Sequence, residues 1–147
     1  MIPFAEQLQK VCAFFAPENL KNRNISYNGE IALLVIDVQK EFCDPTHREM
    51  RGTAATDEKC KKINRLAQDF RKANVPVYAI YYSDNEIKES DIDFHHFKPG
   101  KKDKLVRKWG NSAFWSGATK EMLEQDRRKL LLVCGFNIGA CVIDTVK

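Results

Sequence analysis

The chain has 147 residues, which suits one domain and is short for two. Hydrophobic residues at 44 % and charged residues at 30 % exclude a disordered chain, and no apolar run approaches the roughly 20 residues of a membrane span. The net charge of +4 is too small to require a polyanionic partner.

The first 30 residues form a segment of their own. Phe4, Leu8, Val11 and Phe15 recur at helical spacing, predicting an N-terminal helix. A polar connector rich in Asn follows to Glu30. No basic, apolar leader precedes them, so a cytoplasmic chain with reduced thiols is expected from its five cysteines, Cys12, Cys43, Cys60, Cys134 and Cys141. Residues 31–147 then read as a single domain.

Ile31 to Ile36 is a short, branched apolar run, the pattern of a strand buried on both faces, and it ends at Asp37. Asp57 to Ala73 predicts an amphipathic helix, with Thr56 as N-cap and Ile63, Leu66, Ala67 and Phe70 on one face. Val75 to Tyr82 predicts a second buried strand, and Lys104 to Arg107 a short third one. Thr119 to Arg128 predicts a helix and Lys129 to Cys134 a further buried strand. A last helix is expected near Cys141, and the sequence stops seven residues into it at Lys147, so the domain is read as incomplete after its fourth strand.

Apolar strands alternating with helices imply a three-layer αβα domain around a mostly parallel, Rossmann-like sheet. Ligands of such sheets bind beyond the carboxyl ends of the strands. That rule gathers Asp37, Asp84, Lys108 and Cys141 on one rim. The basic run Lys98 to Lys108 has no stacking-aromatic motif or zinc-finger spacing, so it reads as a solvated loop and no nucleic-acid partner is expected.

Cys141 lies where a Gly-punctuated loop enters a helix; free amides and the helix dipole there are expected to favour a thiolate. Asp37 could take the thiol proton, and Lys108 could balance its charge. Singly, each has an ordinary alternative: a small residue packed under the sheet, a structural ion-pair partner, or a solvated lysine.

Three ordered segments change that balance. LLVIDVQKEF (Leu33 to Phe42), VRKWGNSAFW (Val106 to Trp115) and LLVCGFNIGACV (Leu131 to Val142) resemble the D-x-Q, K-x-x-x-S-A-F and nucleophile-loop segments of the isochorismatase-like hydrolases, which include nicotinamidases and N-carbamoyl amidases. The resemblance runs from about Ile31 to Val146 and implies a cysteine hydrolase of small amides or related C–N bonds. It implies Cys141 as nucleophile forming a thioester, Asp37 as general base and acid, and Lys108 as charge stabiliser. It also implies a cis peptide between Phe136 and Asn137, with the N–H groups of Asn137 and Cys141 holding the oxyanion. Phe42, Trp109, Phe114 and Trp115 are candidates to line the substrate slot, and a homo-oligomer is expected.

Relatives that bind a metal beside the triad use Asp-x-His after the second strand. Here Tyr82-Ser-Asp-Asn-Glu carries only Asp84 and Glu86 as weak candidate ligands, so no metal or other cofactor is expected. Ile138 replaces a Thr common in the nucleophile loop, and Asn137 is larger than the residue usual there. Two other functions therefore stay open: a non-catalytic member used for binding or assembly, and a vinyl-ether hydrolase of isochorismatase type in which Asp37 is the important acid.

Overall fold

The computed structural model describes Glu6 and residues 30–47 and 52–147. The expected helix at Phe4 to Phe15 and its connector lie outside the described residues, apart from Glu6 and Glu30. Four strands form one all-parallel sheet in the order β3-β2-β1-β4. They are β1 (Ile31–Ile36), β2 (Val77–Tyr82), β3 (Lys104–Lys108) and β4 (Leu130–Gly135). The helices are α1 (Lys40–Cys43), α2 (Ala54–Lys72), α3 (Ala118–Gln125) and α4 (Ile143–Val146), the last preceded by a π-helical turn, Ile138–Val142.

The continuous apolar run of β1 follows from its place in the sheet. Ile31, Leu33 and Val35 pack with Cys60, Ala67 and Phe70 of α2 on one face. Ala32, Leu34 and Ile36 meet Ala113, Leu123 and the partly buried Met122 on the other. Both faces are thus dry, and the side-chain period of two carries no polar position. The result is the expected three-layer α/β arrangement.

Element boundaries moved for local reasons. Helix α2 begins one turn before Asp57, because Thr53 rather than Thr56 is the N-cap: its side chain accepts the Thr56 N–H at 3.2 Å. Strand β2 starts at Val77, not Val75, since the Val75 N–H is drawn back to Phe70 O at 2.9 Å behind a left-handed Asn74. Helix α3 stops before Arg128 because Arg127 is left-handed, with φ of 56°, and the Arg128 N–H turns back to Leu123 O. The six residues of β4 are only half-buried, because it is an outer strand paired with β1 alone. The loop that carries Cys141 winds as the π-helical turn from Ile138, so regular helix begins at Ile143 rather than at Cys141.

Gly135 explains its own presence at the end of β4. Its φ is 153°, and a Cβ there would stand 2.1 Å from Ile36 O. The following Phe136 N–H donates to that same oxygen at 2.9 Å, closing the two strand ends together. Gly135→Ala is expected to lower the unfolding free energy by about 3 kcal/mol, measured by urea denaturation.

Candidate active site

Asp37 is the first residue after β1, and Lys108 is the last of β3. Strand β2 lies between them, its Tyr82 in register with Lys108, so the two side chains meet across it. Lys108 Nζ is 2.8 Å from Asp37 Oδ2, and the side chains are 1 % and 2 % exposed. Nζ also donates to Gly110 O at 2.8 Å and lies 5.4 Å from the centre of the Tyr82 ring. Asp37 Oδ1 is buried with no hydrogen-bond partner among the described residues. Its backbone is left-handed, with φ of 53°, held by its N–H on Ile80 O at 2.9 Å. A buried carboxylate oxygen without a partner is uncommon and asks for a reason beyond a structural ion pair.

Cys141 completes the group from the π-helical turn after β4. Its thiol interacts with both Asp37 and Lys108, which act on it in opposite senses. Burial, and then the Asp37 carboxylate, push the thiol above its ordinary range, while Lys108 pulls it down less strongly. The thiol is therefore not depressed as expected: burial and the neighbouring anion raise it. Burial also raises Asp37, against the opposing pull of Lys108. The other described cysteines have packing roles. Cys43 and Cys60 are buried core residues, and burial pushes Cys134 up to about 12.

Two clamps that the sequence reading did not assign hold these groups in place. The Gln39 side chain accepts the Tyr82 N–H at 2.6 Å and donates to Tyr82 O at 3.0 Å. It thereby extends the β1–β2 ladder by one residue beyond Asp37, which is the physical content of the D-x-Q spacing. Thr145 of α4 accepts the Ala113 N–H at 2.9 Å and donates to Cys141 O at 2.7 Å, and Thr119 donates to Ala113 O at 2.5 Å. The backbone of the S-A-F segment is thus fastened to the turn that carries the thiol.

A cleft of about 370 Å³ opens over the three groups. Phe42, Phe136 and Tyr82 form its aromatic side, with the rings of Phe42 and Phe136 stacked at 6.0 Å, and Glu41, Asp84, Asn111 and Asn137 add polar lining. Of the four aromatic candidates only Phe42 lines it. Phe114 packs against the core beneath α3, while Trp109 and Trp115 are exposed and pair edge to face at 5.6 Å. Gly110 is the reason for that pairing, since a Cβ there would fall 2.8 Å from the Trp115 ring. Tyr82, Glu41, Asn111 and Phe136 were missed; their places at or within five residues of a strand's carboxyl end were the available signal.

The Phe136–Asn137 peptide is not cis, and no cis bond occurs among the described residues. The chain turns there through a left-handed Asn137, φ 59°, a conformation that Asn tolerates better than most side chains. Asn137 O then accepts the N–H groups of Ala140 and Val142. Asp84 reaches the cleft but Glu86 does not, so these two do not converge on an ion and no step is derived through a metal there.

The isochorismatase-domain family model matches residues 31–147. The chain belongs to the isochorismatase family, a family of hydrolases. It is similar in structure to a cysteine hydrolase from Pseudomonas syringae pv. phaseolicola 1448A, at 24 % identity and TM-score 0.69 over 83 % of this chain and 66 % of that one. It is also similar to the N-carbamoylsarcosine amidase from Thermoplasma acidophilum, at 18 % identity and TM-score 0.65 over 79 % of this chain and 73 % of that one. A pyrazinamidase of Pyrococcus horikoshii in complex with zinc matches at 18 % and TM-score 0.64, over 79 % and 75 %. These likenesses show the shared fold. No curated protein sequence matches significantly. Among the described residues no helix is long and apolar enough to cross a membrane.

The opposing neighbours of Cys141 give a pH prediction. Alkylation of Cys141 by iodoacetamide, followed on its own peptide by mass spectrometry, is expected to rise only above the ordinary thiol value of 9.0. Asp37→Asn removes an anion and should shift the profile to lower pH; Lys108→Gln removes the cation and should shift it higher.

Proposed function

We propose that the chain is a cysteine hydrolase acting on a small amide or related C–N bond through a thioester. The observation that carries this reading is the convergence of Asp37, Lys108 and Cys141 on one cleft, with an Asp37 oxygen left without a partner. Substrate binding places a carboxamide carbon near Cys141 Sγ. Asp37 takes the thiol proton as sulfur attacks, and the N–H groups of Asn137 and Cys141 receive the developing oxyanion. The C–N bond breaks as Asp37 returns the proton to the leaving nitrogen. Water then gives a proton to Asp37 and attacks the thioester carbon. The acid leaves, and the proton returns to sulfur. Lys108, 2.8 Å from Asp37 Oδ2, holds the carboxylate in register and favours its ionised form at the moment of attack.

The cleft also selects by charge. Asp37, Glu41 and Asp84 line it against the single ammonium of Lys108. An uncharged or cationic amide is therefore the favoured substrate class over a carboxylate-bearing one. We infer a small-molecule substrate; a homo-oligomeric state is proposed with it, on family grounds.

A second reading has one observation in its favour. Burial raises Asp37, which suits a proton donor to a vinyl ether and leaves the thiol dispensable.

Turnover of a panel of anionic, neutral and cationic carboxamides, read as ammonia release, tests the first reading. Cys141→Ala should abolish turnover, and Asp37→Asn should reduce it by about 10²–10⁴-fold. Wild-type enzyme should yield an acyl-enzyme that intact mass spectrometry detects. Turnover that survives Cys141→Ala overturns the covalent mechanism and favours the acid mechanism. Absence of turnover on every amide and vinyl ether favours a binding role.

A further inference from the structure

We propose that Asp57, His95 and His96 form a binding site for a divalent transition ion of the zinc type, outside the cleft and built to fasten one loop to helix α2. His95 Nε2 is 2.6 Å from Asp57 Oδ1 and His96 Nε2 is 2.7 Å from the same oxygen. One donor atom from each residue lies within 4.8 Å of the others. None of the three lines the cleft that holds Cys141.

Consecutive side chains on an extended segment point to opposite sides. Here they do not. His96 adopts a left-handed backbone, φ 55°, and the two rings come to lie with centroids 4.2 Å apart. Histidine enters that region more readily than most side chains, and there it turns both rings toward Asp57 Oδ1. The turn brings a second imidazole nitrogen into hydrogen-bond contact with one carboxylate oxygen, and the three donors need to part by only roughly 0.5 Å to admit an ion.

The surroundings suit a ligand set. Lys61 Nζ lies 2.8 Å from Asp57 Oδ2, which fixes the carboxylate and leaves Oδ1 toward the histidines. His95 is only 6 % exposed, so its ring is fixed by packing, whereas His96 faces solvent and leaves an entry path. For Nε2 to bind an ion its proton must move to Nδ1 or leave. On His95, Nδ1 is 3.9 Å from Asp44 Oδ2, a carboxylate placed to take that N–H once the ring binds through Nε2. Two imidazoles and one carboxylate, with water filling a fourth position, favour zinc, cobalt or nickel over magnesium or calcium.

The ion would join the segment around His95 to the first turn of α2. That segment also pairs Phe94 with Gln39 and donates the His95 N–H to Val38 O at 2.9 Å. The site therefore braces the residues flanking Asp37 from behind, and its effect is on stability rather than on the reacting atoms.

The test uses the tag-free full chain stripped with EDTA. Calorimetric titration with zinc should show one ion per chain, and Tm should rise by roughly 5–10 °C at zinc about 100-fold above Kd. His96→Ala, at an exposed position, and Asp57→Asn should each weaken zinc binding by at least about tenfold. Cobalt should give visible d–d bands without a sulfur-to-metal charge-transfer band. Absence of saturable binding, unchanged affinity in both variants, or a sulfur charge-transfer band placing the ion on the cysteines would overturn the proposal.

Discussion

The buried pair of Asp37 and Lys108 sets the terms for everything around it. Either ion alone, nearly without solvent, would cost several kcal/mol, and removing one partner of such a pair typically destabilises by about 3–5 kcal/mol. The sheet can bury both only because parallel strands end together at one rim, where β1 and β3 deliver opposite charges across β2. The compensation is incomplete. Asp37 stays raised by burial, and one of its oxygens has no partner. A site that satisfied this carboxylate fully would be more stable and less reactive.

Around the pair, ordinary backbone chemistry does the positioning. Gln39 continues a ladder that Asp37, with its left-handed backbone, would otherwise end. Gly135 lets β4 close on Ile36, and Thr145 fastens Ala113 to the turn behind it. Each contact joins segments far apart in sequence, so the site is a property of the assembled sheet and not of any one loop.

Much of this was legible in the sequence because the relevant signals are local and repetitive. Six consecutive apolar residues before Asp37 have few uses other than a strand dry on both faces, and strand ends in such sheets are where ligands bind. Other features depend on partners that sequence spacing does not name. That Trp109 and Trp115 would pair with each other over Gly110, and not face the cleft, required three-dimensional contacts. The Cys141 thiol differs from expectation for a similar reason: the favourable turn is visible in the chain, but the burial and the facing Asp37 carboxylate that raise the thiol are not. Nothing in the spacing of His95 and His96 names Asp57, 38 residues from His95, as the group they face.

The Thr145 bridge carries a consequence for motion. One hydroxyl holds the Ala113 amide and the Cys141 carbonyl at once, and Ala113 lies five residues along the chain from Lys108. The sulfur-bearing turn and the ammonium-bearing strand end are therefore mechanically linked, and neither can shift far without drawing on the other. Thermal fluctuation would then displace thiol and counter-charge together, preserving their mutual distance.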